Sequence, residues 1–302
     1  MKISFAKNEH KKSLLYLWQH CFHDDDAFCN FWFCDVFNPQ NTIIAENECG
    51  EIIGSLQIIY CKLNICGRLV SSAYICGVGV SEKYRRKKIA TQLIKYCEEY
   101  LKKSGIQFIF LISEADRLYY SLGYEPYFSR MTYEFPPFDL NIRNFNAKAN
   151  YSDALNIYNS FCSGFSCFCE RSEDDFRLLD SEYKASGGRC LTLYSNNIPK
   201  AYIAYYTENG TIYADETGFC GKYGAELIIQ FIYSLSAKNC IMTASKNSVM
   251  PDLLYPNSFK AYMSKLTLGK CISETLSKDD FNLPNADKLS HIEYKNYVCT
   301  LI

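Results

Sequence analysis

The sequence predicts an α+β chain of two consecutive domains, each a mixed, mostly antiparallel sheet flanked by helices. Three observations predict it. The order helix, antiparallel strands, helix, strand occurs once in each half of the chain. Between the two runs stand Pro136-Pro137 and an asparagine-rich stretch up to Asn150, which punctuate the chain. Hairpin signals fall inside the runs, above all Asn196-Asn197 and Asn209-Gly210, which favour tight turns. The pattern places one domain over residues 1–137 and a second over 146–302.

Each element has its own signature. Residues 10–22 read as a helix because Leu14, Leu15, Trp18 and Phe22 fall on one face, and a second helical stretch covers 26–36. Residues 42–45 and 52–61 read as strands joined by a turn at Glu48-Cys49-Gly50-Glu51. A further turn at 64–67 leads to the strand 74–80, rich in small and β-branched residues. Ile89, Leu93 and Tyr96 recur at helical spacing in a helix that stops at Ser104-Gly105. Residues 107–112 form a buried strand, 115–122 a short helix ended by Gly123, and 127–135 the last strand of the first half. In the second half 153–161 and 174–180 are helical, and 190–194, 201–206 and 211–217 are strands. A long helix over 223–237 precedes the strand 240–244.

Composition bounds the function. Hydrophobic residues make up 48% of 302 residues and charged residues 22%, the balance of a globular protein. A net charge of -1 gives no bulk attraction to nucleic acid or to an anionic membrane, so neither is an expected partner. The start lacks the apolar core of a secretory signal and no apolar run is long enough to span a bilayer, so a cytoplasmic location is expected. Sixteen cysteines show no Cys-x-x-Cys pair and read as reduced thiols packed as small hydrophobes. Cys162, Cys167 and Cys169 have no histidine at ligand spacing, and His20 and His23 lead into a polar loop, so no metal is expected.

The charge that exists is concentrated. Lys83, Arg85, Arg86, Lys87 and Lys88 set five cations within six residues, between a strand and a helix. A helix N-terminus already carries about half a positive charge from its aligned peptide dipoles, and acidic residues are the usual choice there. Cations in that place fit a bound phosphate, held jointly by free backbone N–H groups and side chains. The alternative is a solvated basic helix end. Gly77 and Gly79, just before the cluster, are expected to let a ligand lie against the strand backbone. A second constellation follows at 115–125, where Leu118-Tyr119-Tyr120-Ser121-Leu122-Gly123-Tyr124 ends a short helix.

In this order the two stretches resemble the motifs of the GNAT superfamily of N-acetyltransferases. There an Arg or Gln, two residues, a Gly, one residue and a Gly or Ala follow a strand. Arg85 and Ala90 match the first and last positions, and Lys88 stands where the family usually has glycine. The resemblance implies two tandem GNAT-like domains and acetyl-CoA as cosubstrate. It implies cosubstrate contacts from Val78, Gly79, Val80, Arg85, Arg86, Lys87, Lys88, Ile89, Ala90, Ser113 and Glu114. Counted back from Gly123, Tyr119 takes the place of the tyrosine that protonates the leaving thiolate, with Tyr120 its neighbour.

More narrowly, the chain is similar to the enhanced intracellular survival type of acetyltransferase. Ser113-Glu114, Tyr119 before Gly123-Tyr124, the run Ile212-Tyr213-Ala214-Asp215-Glu216 and residues 252–254 and 261–265 carry that likeness. That type has a third, sterol-carrier-like domain, for which 302 residues are expected to leave no room. Phe219-Cys220-Gly221-Lys222 has no cation cluster, so the second domain is expected to shape the substrate cleft without binding CoA. The implied function is an N-acetyltransferase in which a primary amine of a small molecule or peptide attacks the thioester directly, Tyr119 serving as general acid. The competing class is a CoA-binding or interaction module without catalysis. Asp24 and Asp26, beside Phe28 and Trp32, are candidates to attract and sandwich the cationic amine, with a solvated helix cap as the alternative.

Overall fold

A computed structural model describes residues 1–280 apart from 23, 114, 246–248, 256 and 265. The described chain divides into two compact units, one formed by residues 1–127 with the segment from Leu266 onward, the other by residues 128–265.

The first unit opens with β1 (Lys2–Phe5), α1 (Lys11–Phe22) and α2 (Asp26–Phe31), which runs on into a wider turn at Trp32–Val36. Leu14, Leu17 and Trp18 form the buried stripe of α1. Asp25 caps α2 by accepting from the Phe28 N–H at 2.7 Å. An antiparallel meander follows, β2 (Thr42–Glu46), β3 (Ile52–Ile65) and β4 (Arg68–Val80), and then α3 (Ile89–Lys103), β5 (Phe108–Ile112), α4 (Asp116–Ser121) and β6 (Glu125–Phe128). Gly105, at φ +78°, closes α3 in the left-handed conformation that glycine adopts without steric cost.

The second unit contains β7 (Arg130–Phe135), β8 (Phe145–Lys148), α5 (Tyr151–Cys162), β9 (Cys167–Cys169) and α6 (Glu173–Ala185). β10 (Arg189–Ser195), β11 (Ile198–Glu208) and β12 (Thr211–Phe219) form its meander, ahead of α7 (Gly221–Ser234), β13 (Asn239–Ser245), α8 (Met250–Leu254) and β14 (Lys260–Met263). The chain then supplies β15 (Thr267–Cys271) to the first unit.

Hydrogen bonding orders the first sheet β1-β2-β3-β4-β5-β15-β6 and the second β14-β7-β13-β12-β11-β10-β8. In both, an antiparallel meander hands over through a helix to one parallel neighbour, β5 beside β4 and β13 beside β12. Side chains alternate between two covered faces. Ala73 and Ile75 of β4 join Leu93, Ile94 and Cys97 of α3 in one core, whereas α1 packs on the opposite face through Trp18. In the second unit Ala201 and Ile203 of β11 face α7, and Tyr202 and Ala204 face α5 and α6. Among the described residues no helix is long and apolar enough to cross a membrane.

One expectation needs correction. The stretch 127–135 is not one strand: it breaks at Ser129, and β7 pairs with β13 and β14 of the second sheet. Its apolar run signals a strand, but the partner is set by Tyr133 and Phe135, which are buried in the core under α7. The punctuating segment after Pro136-Pro137 is itself anchored to the second unit. The Leu140 and Ile142 N–H groups donate to Gln230 Oε1 at 2.9 and 3.2 Å, and β8 pairs with β10.

Candidate active site

The site begins where two strands part. β4 and β5 are paired only from Ser72 to Tyr74 and from Phe108 to Phe110. β4 continues to Val80 while the chain after β5 turns into α4. Opposite β3 the register shifts, Ser55 facing Gly79 and Gln57 facing Cys76, so Gly77 and Val78 stand against Leu56 alone. This is a β-bulge, and Gly77 supplies its positive φ of +57°. Ser81 N donates to Ile53 O of β3 at 2.9 Å. Strand alternation then turns the Val80 N–H away from β3, to the side where β5 has ceased to pair.

The two glycines have a different purpose from the one expected. A Cβ at Gly77 would overlap the Trp18 ring, and one at Gly79 would lie 3.1 Å from Cys21 Sγ. Their smallness admits α1.

The basic cluster lies ahead of the helix rather than in its first turn. Glu82–Tyr84 is a single tight turn, and α3 starts at Ile89. The Arg86, Lys87 and Lys88 side chains are exposed. Arg85 Nε donates to Val80 O at 3.3 Å, and Lys87 Nζ lies 4.9 Å from the Tyr84 ring centroid. Lys88 is the N-cap residue at φ +61° and makes no side-chain cap. Gln92 N returns to Lys88 O at 3.1 Å, so the amides of Ile89, Ala90 and Thr91 precede the intrahelical ladder. An uncapped helix start behind a basic loop is an anion-binding arrangement.

Tyr119 comes from α4 and is 4% exposed, whereas Tyr120 is 44% exposed. Burial pushes the Tyr119 pKa above its ordinary value, with the Ser113 side chain opposing the shift and the Cys76 thiol of β4 adding to it. Tyr119 therefore stands as a neutral phenol beside the stretch of β4 that β5 leaves open. Ser113 Oγ accepts from Ala115 N at 2.8 Å. Glu114 lies outside the described residues.

The four residues expected to receive the amine are occupied otherwise. Trp32 is 0% exposed, stacks on Trp18 and Phe28, and donates through Nε1 to Gln57 Oε1 at 3.1 Å. Phe28 is buried, Asp24 accepts from Trp18 Nε1 at 2.7 Å, and Asp26 accepts from Gln19 Nε2 at 3.1 Å. The aromatic run is core, and the acids fasten α2 to α1. A cleft of about 520 Å³ instead opens between α1 and the chain after β4, with Tyr16, His20, Cys21, Glu51, Glu82 and Lys83 on its walls. Cys21 joins it to the site, since its thiol donates to Val80 O at 3.6 Å. Burial raises the Cys21 pKa, and the Arg85 charge opposes the shift. A second cleft of about 590 Å³ lies beside the start of α3, along Tyr84, Lys87, Ile89 and Gln92. Spacing gave no sign of Cys21 or Cys76, because only the fold brings them to Arg85 and Tyr119.

The second unit repeats the parting of strands but fills it differently. Pairing of β12 with β13 ends at Ala214 and Met242, and a bulge follows at Asp215. Burial raises the Asp215 pKa to about 6 against the lowering effects of Arg130 and of a Tyr183 hydrogen bond. The next residue, Glu216, is buried in a two-pronged ion pair with Arg171 and also accepts from the Tyr202 hydroxyl at 3.0 Å. One residue, Cys220, separates β12 from α7.

Comparison with known proteins agrees with this geometry. Residues 2–127 match the family model described as an acetyltransferase (GNAT) domain. A GCN5-related N-acetyltransferase from Anabaena variabilis ATCC 29413 is 16% identical and aligns over 90% of this chain and 73% of that one, with a TM-score of 0.76. Eis1 from Mycobacterium abscessus is 15% identical over 90% and 74% of the two chains, with a TM-score of 0.68. Saccharomyces cerevisiae N-myristoyltransferase with bound myristoyl-CoA is 9% identical over 88% and 79%, with a TM-score of 0.59. No curated protein matches the chain in sequence. Residues 2–127 are thus similar to a GNAT acetyltransferase domain, and the chain as a whole shares its two-sheet α+β fold with these GCN5-related proteins.

Proposed function

We propose that this protein is an acetyl-CoA-dependent N-acetyltransferase that transfers acetyl to a primary amine of a small molecule or peptide. The observation that carries the reading is Tyr119: a buried, neutral phenol on α4, where β4 runs on without β5. The first domain supplies the whole cosubstrate site. The amides of Ile89 and Ala90, with Arg85, Arg86, Lys87 and Lys88 around them, receive the pyrophosphate. The Val78 and Val80 N–H groups receive the pantetheine and the thioester oxygen, stabilising negative charge as it develops there. Gly79, Ser113 and Glu114 complete the set of cosubstrate contacts in this reading.

The neutral amine attacks the thioester carbonyl, forming the C–N bond as the C–S bond breaks. Tyr119 gives its proton to the departing thiolate and regains one from solvent, and the proton of the new ammonium leaves to water. The amine enters through the cleft that ends on Cys21, where Glu51 and Glu82 attract a cation and Tyr16 offers an aromatic face. The second domain does not bind CoA: its one-residue link between β12 and α7 has no basic loop, and Asp215 and Glu216 put carboxylates where the strands part.

The test pairs calorimetry with acetyl-CoA and release of free thiol in the presence of an aminoglycoside, a polyamine or a lysine peptide. Tyr119→Phe is expected to keep the acetyl-CoA Kd within about threefold while turnover falls by about 10²-fold or more, the usual worth of a positioned acid. Unchanged turnover at saturating substrate rejects Tyr119 as the acid. Binding without turnover on any amine favours a CoA-binding module instead.

A further inference from the structure

Behind Tyr119 stands a residue from the far end of the chain. Lys270 lies on β15, in register with Ile109 of β5, and its side chain is 25% exposed. Its ammonium donates to Glu98 Oε2 of α3 at 2.8 Å and to the Leu122 carbonyl at 2.7 Å. It also sits 5.5 Å from the centroid of the Tyr124 ring. Leu122 and Tyr124 close α4, both of their N–H groups returning to Tyr119 O at 2.9 and 3.0 Å. The Tyr124 ring meets the Tyr119 ring edge to face, with centroids 5.6 Å apart.

One ammonium thus ties α3, the last turn of α4 and the aromatic neighbour of Tyr119 together. α4 has six residues, too few to keep a helical shape without tertiary contacts. A cation at its terminal carbonyls is the electrostatic partner that end of a helix prefers. Glu98, 15% exposed, supplies the countercharge that lets the lysine stay in this partly covered place.

We propose that Lys270 is a positioning residue for acetyl transfer, holding α4 so that the Tyr119 hydroxyl stays where β4 runs on without β5. The inference rests on Tyr119 being the general acid. It reaches beyond residues 2–127, the segment that carries the family match, because the residue that sets the acid is supplied from outside it.

The test uses the full chain with Lys270→Met, Lys270→Arg, Tyr119→Phe and the double variant Tyr119→Phe/Lys270→Met. Hydrogen exchange at the amides of Leu122, Gly123 and Tyr124 requires no acceptor. Lys270→Met is expected to speed it by about tenfold or more relative to the α3 amides, and Lys270→Arg to restore it within about threefold. In thiol release from acetyl-CoA with the polyamine spermidine, the aminoglycoside kanamycin or a lysine peptide, Lys270→Met is expected to lower kcat by about tenfold or more while the KM for acetyl-CoA moves less than about twofold, since small misplacements of a catalytic group are costly. In the Tyr119→Phe background the same change is expected to have no further effect. Unchanged exchange in Lys270→Met overturns the proposal, as does a loss of kcat that persists at full size without the Tyr119 hydroxyl. If Tyr119→Phe alone retains full turnover, the general-acid reading fails; if it loses turnover while Lys270→Met does not, only the role of Lys270 fails.

Discussion

Lys88 carries two opposed effects in one residue. Its backbone sits at φ +61°, the left-handed conformation that a glycine would take freely and that costs another residue about 1 kcal/mol. Its side chain adds a cation to the loop ahead of α3. Lys88→Gly is expected to raise the melting temperature by about 2 °C, and Lys88→Ala, which keeps the Cβ, is expected not to. Calorimetry with acetyl-CoA should show both variants weakened alike, because both lose the charge and neither alters the free amides of Ile89 and Ala90. A Lys88→Gly protein that binds much more tightly than the wild type would show that the side chain obstructs the phosphate. At this scale the positions of Arg85 ahead of α3 and of Tyr119 in α4 were legible, because local motifs mark both. It was illegible for Trp32 and Phe28, whose aromatic rings serve a core as readily as a cleft until burial is known.

The meeting of α1 with β4 shows how elements constrain the site. Gly77 has positive φ and no room for a Cβ under Trp18, whereas Gly79 has ordinary φ and a gap of 3.1 Å to a movable thiol. Gly77→Ala is therefore expected to destabilise the protein by about 2–4 kcal/mol, overpacking and backbone strain acting together. Gly79→Ala should cost about 1 kcal/mol, a small steric adjustment. Urea unfolding of both variants checks the ranking, and equal midpoints would contradict it. Helix and strand positions were readable because their periodicity is local. The turns at Asn196-Asn197 and Asn209-Gly210 were readable for the same reason, and all four residues have positive φ. What periodicity does not encode is which sheet a strand joins, hence the misplacement of 130–135.

For the whole molecule, the decisive fact is that the first unit is discontinuous in sequence. β15 pairs with β5 from Thr267 opposite Ile112 to Cys271 opposite Phe108, and Leu268 is fully buried in the core beneath α3. No local signal in 267–271 announces this, since the partner strand lies far back in the chain. A fragment of residues 1–137 lacks that strand and leaves one side of β5 unpaired, a site for non-native pairing. It is expected to aggregate, or to melt at least about 10 °C below the full chain; fusing residues 266–280 to it through a flexible linker should recover most of the loss. Light scattering and thermal unfolding of the three proteins decide the matter, and a 1–137 fragment as stable as the full chain would contradict it. The same discontinuity sets a clock during synthesis. Roughly 160 residues separate Ile112 from Cys271, and at ribosomal rates of about 5–20 residues per second the first sheet waits on the order of ten seconds for its missing strand. Throughout that interval the nascent chain displays an apolar strand edge, so the protein's yield in a cell should depend on how well chaperones shield it until β15 emerges.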